Sequence, residues 1–184
     1  MVRSSCAAII AHVTGLQELV DSFQRYARMP EVEPRSADLA LLAVEATSLY
    51  ESLRDDLEVV TDAPEGPVWA SVDPVLLRQA LVNLVDNAVD AVDGAGRIHV
   101  RVIVDGSDAV IDVEDSGCGL PTDDLELLTR PFFSTKGRGS GMGLAIVHRV
   151  VQDHGGSLEA WSAKSGGARF RIVLPGVVLG PSPS

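Results

Sequence analysis

Cysteine, basic charge and long apolar runs are all scarce in this chain of 184 residues. Its two cysteines, Cys6 and Cys118, come without any Cys/His cluster at metal-ligand spacing. That argues against a disulfide scaffold and a zinc site, and fits a reducing compartment. Fifteen Lys and Arg stand against 26 Asp and Glu, for a net charge of -11. A chain this acidic does not rely on non-specific nucleic-acid binding, so no nucleic-acid partner is expected. No apolar run reaches the ~18 residues of a membrane span, and no membrane contact is expected of these residues. The opening MVRSSCAAIIAHV lacks the h-region and cleavage site of a signal peptide. The chain reads as cytoplasmic, which leaves room for a longer, membrane-anchored parent with a sensor upstream. There is no internal repeat or low-complexity segment. What remains, 46% hydrophobic and 22% charged, suits one globular domain with an appendage.

The appendage is N-terminal. Ile9, Val13, Leu16, Val20, Phe23 and Ala27 recur at alternating steps of four and three, the seam spacing of helices in a bundle or coiled coil. The stripe could lie on the chain's own core, but the proline-bounded MPEVEPRS sets it apart and favours packing against another helix. Residues 1–29 therefore read as a helix and 30–37 as a linker. Residues 38–176 read as the main domain, and 177–184 as a patternless, flexible tail. Within the domain, Asp38 to Tyr50 is helical, and LEVVTD and VWASV are short strands. Asp73-Pro74 starts a helix as N-cap and first-turn proline. That helix runs to about Val92 with Leu77, Leu81, Leu84, Ala88 and Val92 on its apolar face. RIHVRVIVD and DAVIDVED form one hairpin, SLEAWSA and ARFRIVLP another. In the latter Ala168, Phe170, Ile172 and Leu174 point to one face. The class is α+β, a two-layer sandwich with helices on one face of a mixed sheet.

Three constellations carry chemistry. On the helix LVNLVDNAVDAV, Asn83 and Asn87 share a face, with Gln79, Asp86 and Asp90 near it. This is either a solvated face or a set of oxygens for a hydrated Mg²⁺. Asp115-Ser116-Gly117-Cys118-Gly119 ends a strand. It is either an Asp-Gly turn or a carboxylate placed to accept a hydrogen bond from the exocyclic amine of adenine. Finally, TRPFFSTKGRGSGMGL places Gly139, Gly141 and Gly143 just before a helix-forming run, so backbone N–H groups and a helix N-terminus converge on an anion. It is not a Walker loop, which needs Gly-Lys-Ser/Thr after its glycines, and it lacks the preceding strand of a dinucleotide fingerprint.

Taken in order, the asparagine helix, the Asp-x-Gly-x-Gly segment, the Phe-Phe segment and the Gly-x-Gly-x-Gly-Leu loop resemble one ATP-binding domain. It is shared by sensor histidine kinases, type II topoisomerase ATPase subunits, a heat-shock chaperone and MutL-type repair proteins. The likeness covers roughly residues 70–175 and is closest to histidine kinases of the nitrogen-regulatory type. It implies a Bergerat-type fold with a lid over ATP. It makes Asn87 the Mg²⁺ ligand, and gives Asn83 and Lys136 catalytic roles in positioning the phosphates. Asp115 would select adenine in a pocket shaped by Gly117 and Gly119. Phe132 and Phe133 would pack the lid. Gly139, Gly141 and Gly143 would wrap the phosphates. Asp90, Thr135, Ser140, Met142 and Leu144 complete the expected ATP contacts.

Relatives that hydrolyse ATP carry a glutamate where this chain has Asn83, which cannot take a proton. The resemblance therefore implies transfer of the γ-phosphoryl group to a histidine, then to a response-regulator receiver domain. Neither His12, His99, His148 nor His154 has the acidic neighbour and following Asn-Pro of the acceptor helix. The stretch ending FQRYARMP resembles instead the second helix of the dimerisation hairpin. The implied partners are the phosphoacceptor helix and a second copy of the intact protein. A serine kinase of the anti-sigma type and a non-catalytic ATP-binding, dimerising module carry the same motifs and stay open at this stage.

Overall fold

The alternating residues of RIHVRVIVD form β4 (Gly96–Asp105), which turns into β5 (Asp108–Asp115) as an antiparallel hairpin. In the computed structural model, residues 13–15, 17, 19–24, 26–50, 54–134, 140–163 and 166–179 are described. β2 (Leu57–Asp62) runs parallel to β4. β7 (Ala168–Pro175) pairs with β5 and with β6 (Ser157–Ser162), so the five-stranded order is β2-β4-β5-β7-β6. Every second residue of these strands faces one way. Ile98, Val100 and Val102, then Ala109, Ile111 and Val113, then Phe170, Ile172 and Leu174, are all buried. Onto this face pack α1 (Leu39–Ser48), α2 (Pro74–Ala91) and α4 (Gly143–Asp153), while the short α3 (Leu125–Leu128) lies in the connection between β5 and α4. The result is the expected mixed sheet with helices on one side. The other side is held by charge. Asp112, 1% exposed, accepts from Arg171 Nε and Nη2 at 2.7 and 2.9 Å. Arg169 and Arg171 lie over the Trp161 ring. A bidentate pair of this kind satisfies a buried carboxylate without a second layer of structure.

A second, smaller sheet lies outside the sequence reading. Arg35–Asp38, assigned mostly to the linker, is β1. It pairs antiparallel with β3 (Val68–Val72), which also pairs with β8 (Val178–Leu179), inside the expected tail. LEVVTD and VWASV are thus strands, but of different sheets. The reason is that β1 and β8 are stabilised by distant backbone partners. RSAD buries only one side chain, Ala37, and shows no alternation to read. Asp38 joins this sheet to α1, because its Oδ1 accepts from both Ala40 N–H and Val68 N–H at 3.0 Å.

Residues 13–15, 17, 19–24 and 26–27 are helical. Of the N-terminal seam, Val13, Val20 and Phe23 are 48%, 53% and 50% exposed; Ile9 and Leu16 fall outside the described residues. The chain then attaches to the domain through Tyr26, Met29 and Val32, which pack on the core. Arg149 donates to the Tyr26 carbonyl at 3.1 Å and lies over its ring.

Asp73 caps α2 as the sequence indicates. Its Oδ1 accepts from Val75 and Leu76 N–H, and Oδ2 from Glu33 N–H. Its own N–H donates to His154 Nε2, whose Nδ1–H donates to the Val150 carbonyl. Burial pushes the Asp73 pKa up, but the Leu76, Glu33 and Val75 donors outweigh it and hold the carboxyl below its usual range. A carboxyl lowered on folding stabilises the folded state above its unfolded pKa and loses that contribution as pH falls through the folded value. Asp73→Ala is expected to cost about 1 kcal/mol at pH 7. The gap between variant and parent should close as pH falls from about 5 toward 3. Urea unfolding at the two pH values measures it.

Candidate functional site

β5 ends on Asp115, whose carboxylate is 4% exposed. Its Oδ1 accepts from Gly117 N–H at 2.7 Å and Ala168 N–H at 3.2 Å. Two glycines make this possible. A Cβ at Gly117 would overlap the Ala91 carbonyl at the end of α2, and one at Gly167 would overlap the Asp115 carbonyl. The loop after β5 and the β6–β7 turn therefore close on Asp115 from both sides. Gly119, with φ +78°, lies against the Gly166 carbonyl.

α2 supplies a second wall. At 100° per residue, Asn83, Asp86, Asn87 and Asp90 fall within one arc of about 100°, opposite Leu77, Leu81 and Leu84. Asn83 Nδ2 is buried and has no hydrogen-bond partner among the described residues. Asp86 Oδ1 accepts a 2.6 Å bond from Tyr50 Oη. Burial, then that bond, then the Asp86 charge push the Tyr50 phenol well above its usual range, so it stays a donor.

The third wall is the start of α4. A Cβ at Gly143 would lie 3.6 Å from Asn87 Nδ2 and 4.0 Å from Asn83 Cβ, so the helix begins against the asparagine stripe. Its N-cap, Met142, makes no side-chain cap bond. The first N–H groups of α4 are thus left without a side-chain cap, next to the two amides. Gly141, with φ +65°, allows its carbonyl to accept from Phe132 N–H at 3.0 Å. A Cβ there would lie 2.7 Å from the Phe132 carbonyl carbon. The segments before and after residues 135–139 are clamped together at this point.

Between the walls lies a cavity of about 310 Å³. Of the candidate site residues, Asn83, Asn87, Asp90, Asp115, Gly119, Phe133, Ser140, Gly141, Gly143 and Leu144 line it. Three expected contacts do not. Met142 is fully buried in the core, because the residue before α4 points inward under the helix. Phe132, at φ 68°, turns outward and stacks on Phe23 with ring centroids 6.2 Å apart. Gly117 acts through its close contact with Ala91 rather than from the cavity wall. Thr135, Lys136 and Gly139 fall outside the described residues. Sequence reasoning missed Gly167, whose only signal is a second glycine in Ser165-Gly166-Gly167, and the apolar lining of Leu120, Leu128, Ala168 and Phe170. Those four converge only through tertiary structure.

The described lining holds three carboxylates, Asp86, Asp90 and Asp115, and no Lys, Arg or His. A polyanion would therefore need a cation to lie beside α2. Among the described residues no group of three His, Cys, Asp or Glu could hold a metal by itself. Mg²⁺ takes few protein ligands, keeps waters and shares itself with phosphate oxygens. The hard oxygens of the α2 stripe fit such an ion.

The domain described as histidine kinase-, DNA gyrase B- and HSP90-like ATPase matches residues 72–177, and the chain belongs to this family. It carries the catalytic ATP-binding domain of the two-component sensor histidine kinases. The nitrogen regulation protein NtrY of Azorhizobium caulinodans is 36% identical over 175 residues, covering 90% of this chain and 22% of that protein. The chain thus spans about a fifth of the length of such relatives. The mycobacterial sensor histidine kinase MprB superposes with a TM-score of 0.70 at 31% identity, over 78% of this chain and 98% of that one. Full-length ShkA in complex with AMPPNP gives 0.78 at 26% identity, over 97% of this chain and 40% of that one.

Proposed function

We propose that this chain presents Mg-ATP to a histidine on a separate helical hairpin, whose phosphoryl group passes on to a receiver-domain aspartate of a response regulator. The observation that carries this is the convergence of Asp115, the asparagine stripe and the start of α4 on one cavity. Adenine stacks in the apolar end and donates its amine to Asp115. The phosphates run toward Gly141, Gly143 and the first N–H groups of α4. Asn83 donates its buried amide to a phosphate oxygen, and the terminal phosphate is assigned to Lys136, which lies outside the described residues. Asn87 would hold a Mg²⁺ ion, which would supply neutralisation of the charge that transfer develops. Catalysis on this reading is positioning and electrostatics.

Transfer rather than hydrolysis follows from residue 83, where relatives that hydrolyse ATP carry a glutamate base. Asn83 is an amide, and the Asp86 carboxylate is held by Tyr50. The acceptor is foreign to the cavity. His99 is bound to Asp62 at 2.6 Å and His154 to the α2 cap. His148 does not line the cavity, and His12 falls outside the described residues. The exposed Val13, Val20 and Phe23 support residues 1–29 as the second helix of a hairpin that pairs with another copy in the intact protein. We assign the domain to the cytoplasm, where ATP is available. No helix among the described residues is long and apolar enough to cross a membrane.

Two experiments test this reading. Asp115→Asn keeps an acceptor for the Gly117 and Ala168 N–H groups and turns the other corner into a donor, which faces the adenine amine. Calorimetry is expected to show ATP affinity lowered roughly ten- to hundred-fold with thermal melting little changed; unaltered affinity removes Asp115 from adenine selection. With radiolabelled ATP the chain alone should gain no acid-labile label. A separate hairpin bearing the matching histidine should become labelled in its presence. Label on His12 of the chain itself contradicts the proposed division of roles.

A further inference from the structure

Asp86 differs from the other carboxylates on the cavity. Asp115 is committed to two backbone N–H groups. Among the described residues nothing fixes Asp90 by a hydrogen bond or ion pair. Asp86 lies on an exposed part of α2, where a carboxylate ordinarily exchanges rotamers in solvent. Here its Oδ1 is held at 2.6 Å by a phenol that is itself 9% exposed and comes from the turn after α1. A neutral donor fixes the carboxylate without cancelling its charge. No Arg, Lys or His pairs with it among the described residues. The cavity wall therefore carries a positioned carboxylate next to Asn83 and Asn87, where the proposed function puts the phosphates.

Such a charge acts with opposite sign on the two forms of the ligand. It repels a metal-free triphosphate, and attracts one whose charge is partly neutralised by a divalent cation, through the cation or its waters. We propose that Asp86 is a specificity-determining residue through which the cavity discriminates Mg-bound from metal-free nucleotide, and that Tyr50 is its positioning residue. Discrimination arises largely by penalising the wrong form, as specificity commonly does. The α2 stripe thus has two functions: its amides contact the nucleotide, and Asp86 reports whether the metal has come with it. This rests on the ATP reading of the cavity.

The test is calorimetry on the full chain with ATP in excess Mg²⁺ and with ATP in EDTA. Asp86→Asn is isosteric and is expected to weaken Mg-ATP while tightening metal-free ATP, so that the ratio of the Kd for metal-free ATP to the Kd for Mg-ATP falls about tenfold. Tyr50→Phe leaves every charge in place but frees the carboxylate to rotate. It is expected to lower the same ratio by a smaller factor, about threefold. Melting curves establish that both variants are folded. A purely structural role would weaken both forms together and leave the ratio alone; that result, or an unchanged ratio in Asp86→Asn, overturns the proposal. Should the parent chain bind neither form, the nucleotide reading itself fails. Binding by the parent with an unmoved ratio in the variants sinks only the role of Asp86 and Tyr50.

Discussion

The site depends on how a buried carboxylate is satisfied. Asp115 is nearly excluded from water, and an ionised group there is costly without donors of its own. Its donors are two backbone N–H groups from segments about fifty residues apart in sequence, Gly117 and Ala168. To deliver them, the loop after β5 must press on the end of α2, and the β6–β7 turn must press on Asp115 itself. Both approaches are closed to any residue with a Cβ. The same contacts that satisfy the carboxylate therefore fix the spacing between sheet and α2, and that spacing is the width of the cavity.

The opposite wall follows from α2 having two unlike faces. Leu77, Leu81 and Leu84 are buried against the sheet and its neighbouring helices, which fixes the rotation of the helix about its axis. With that rotation set, Asn83, Asp86, Asn87 and Asp90 lie on the side of the helix that lines the cavity. α4 then starts against the two asparagines, because Gly143 has no side chain to hold it off. A helix N-terminus, two amides and a positioned carboxylate are thus brought together by apolar packing on the far side of the same elements. Function here is a by-product of burial, which is why the site needs few residues of its own.

Much of this was legible in the sequence, for a physical reason in each case. Asp73-Pro74 marks the start of α2 because capping and proline geometry are local. β4, β5 and β7 are legible because alternation records a half-buried face. Asn83, Asn87 and Asp115 stand out as polar residues in apolar surroundings, but only the order of four motifs, and the family it resembles, assign them to one site. The illegible parts are those fixed by distant partners. β1 and β8 have no side-chain pattern of their own and exist through pairing with β3. Gly167 looks like an ordinary turn glycine until Asp115 is placed beneath it. Met142 and Phe132 sit among site residues in sequence but face the core and Phe23. The bond between Tyr50 and Asp86 spans 36 positions, and nothing local announces it.

The central claim is that the start of α4 and the asparagine stripe of α2 form one anion-binding surface. Nuclear magnetic resonance on the labelled chain tests it directly, by adding a non-hydrolysable ATP analogue with Mg²⁺. The account expects the side-chain amide signals of Asn83 and Asn87 to shift together with the backbone amides of Gly141, Gly143 and Leu144. Signals from the β1-β3-β8 sheet should stay in place. Shifts confined to that sheet or to α1, with the asparagine amides unmoved, would contradict it.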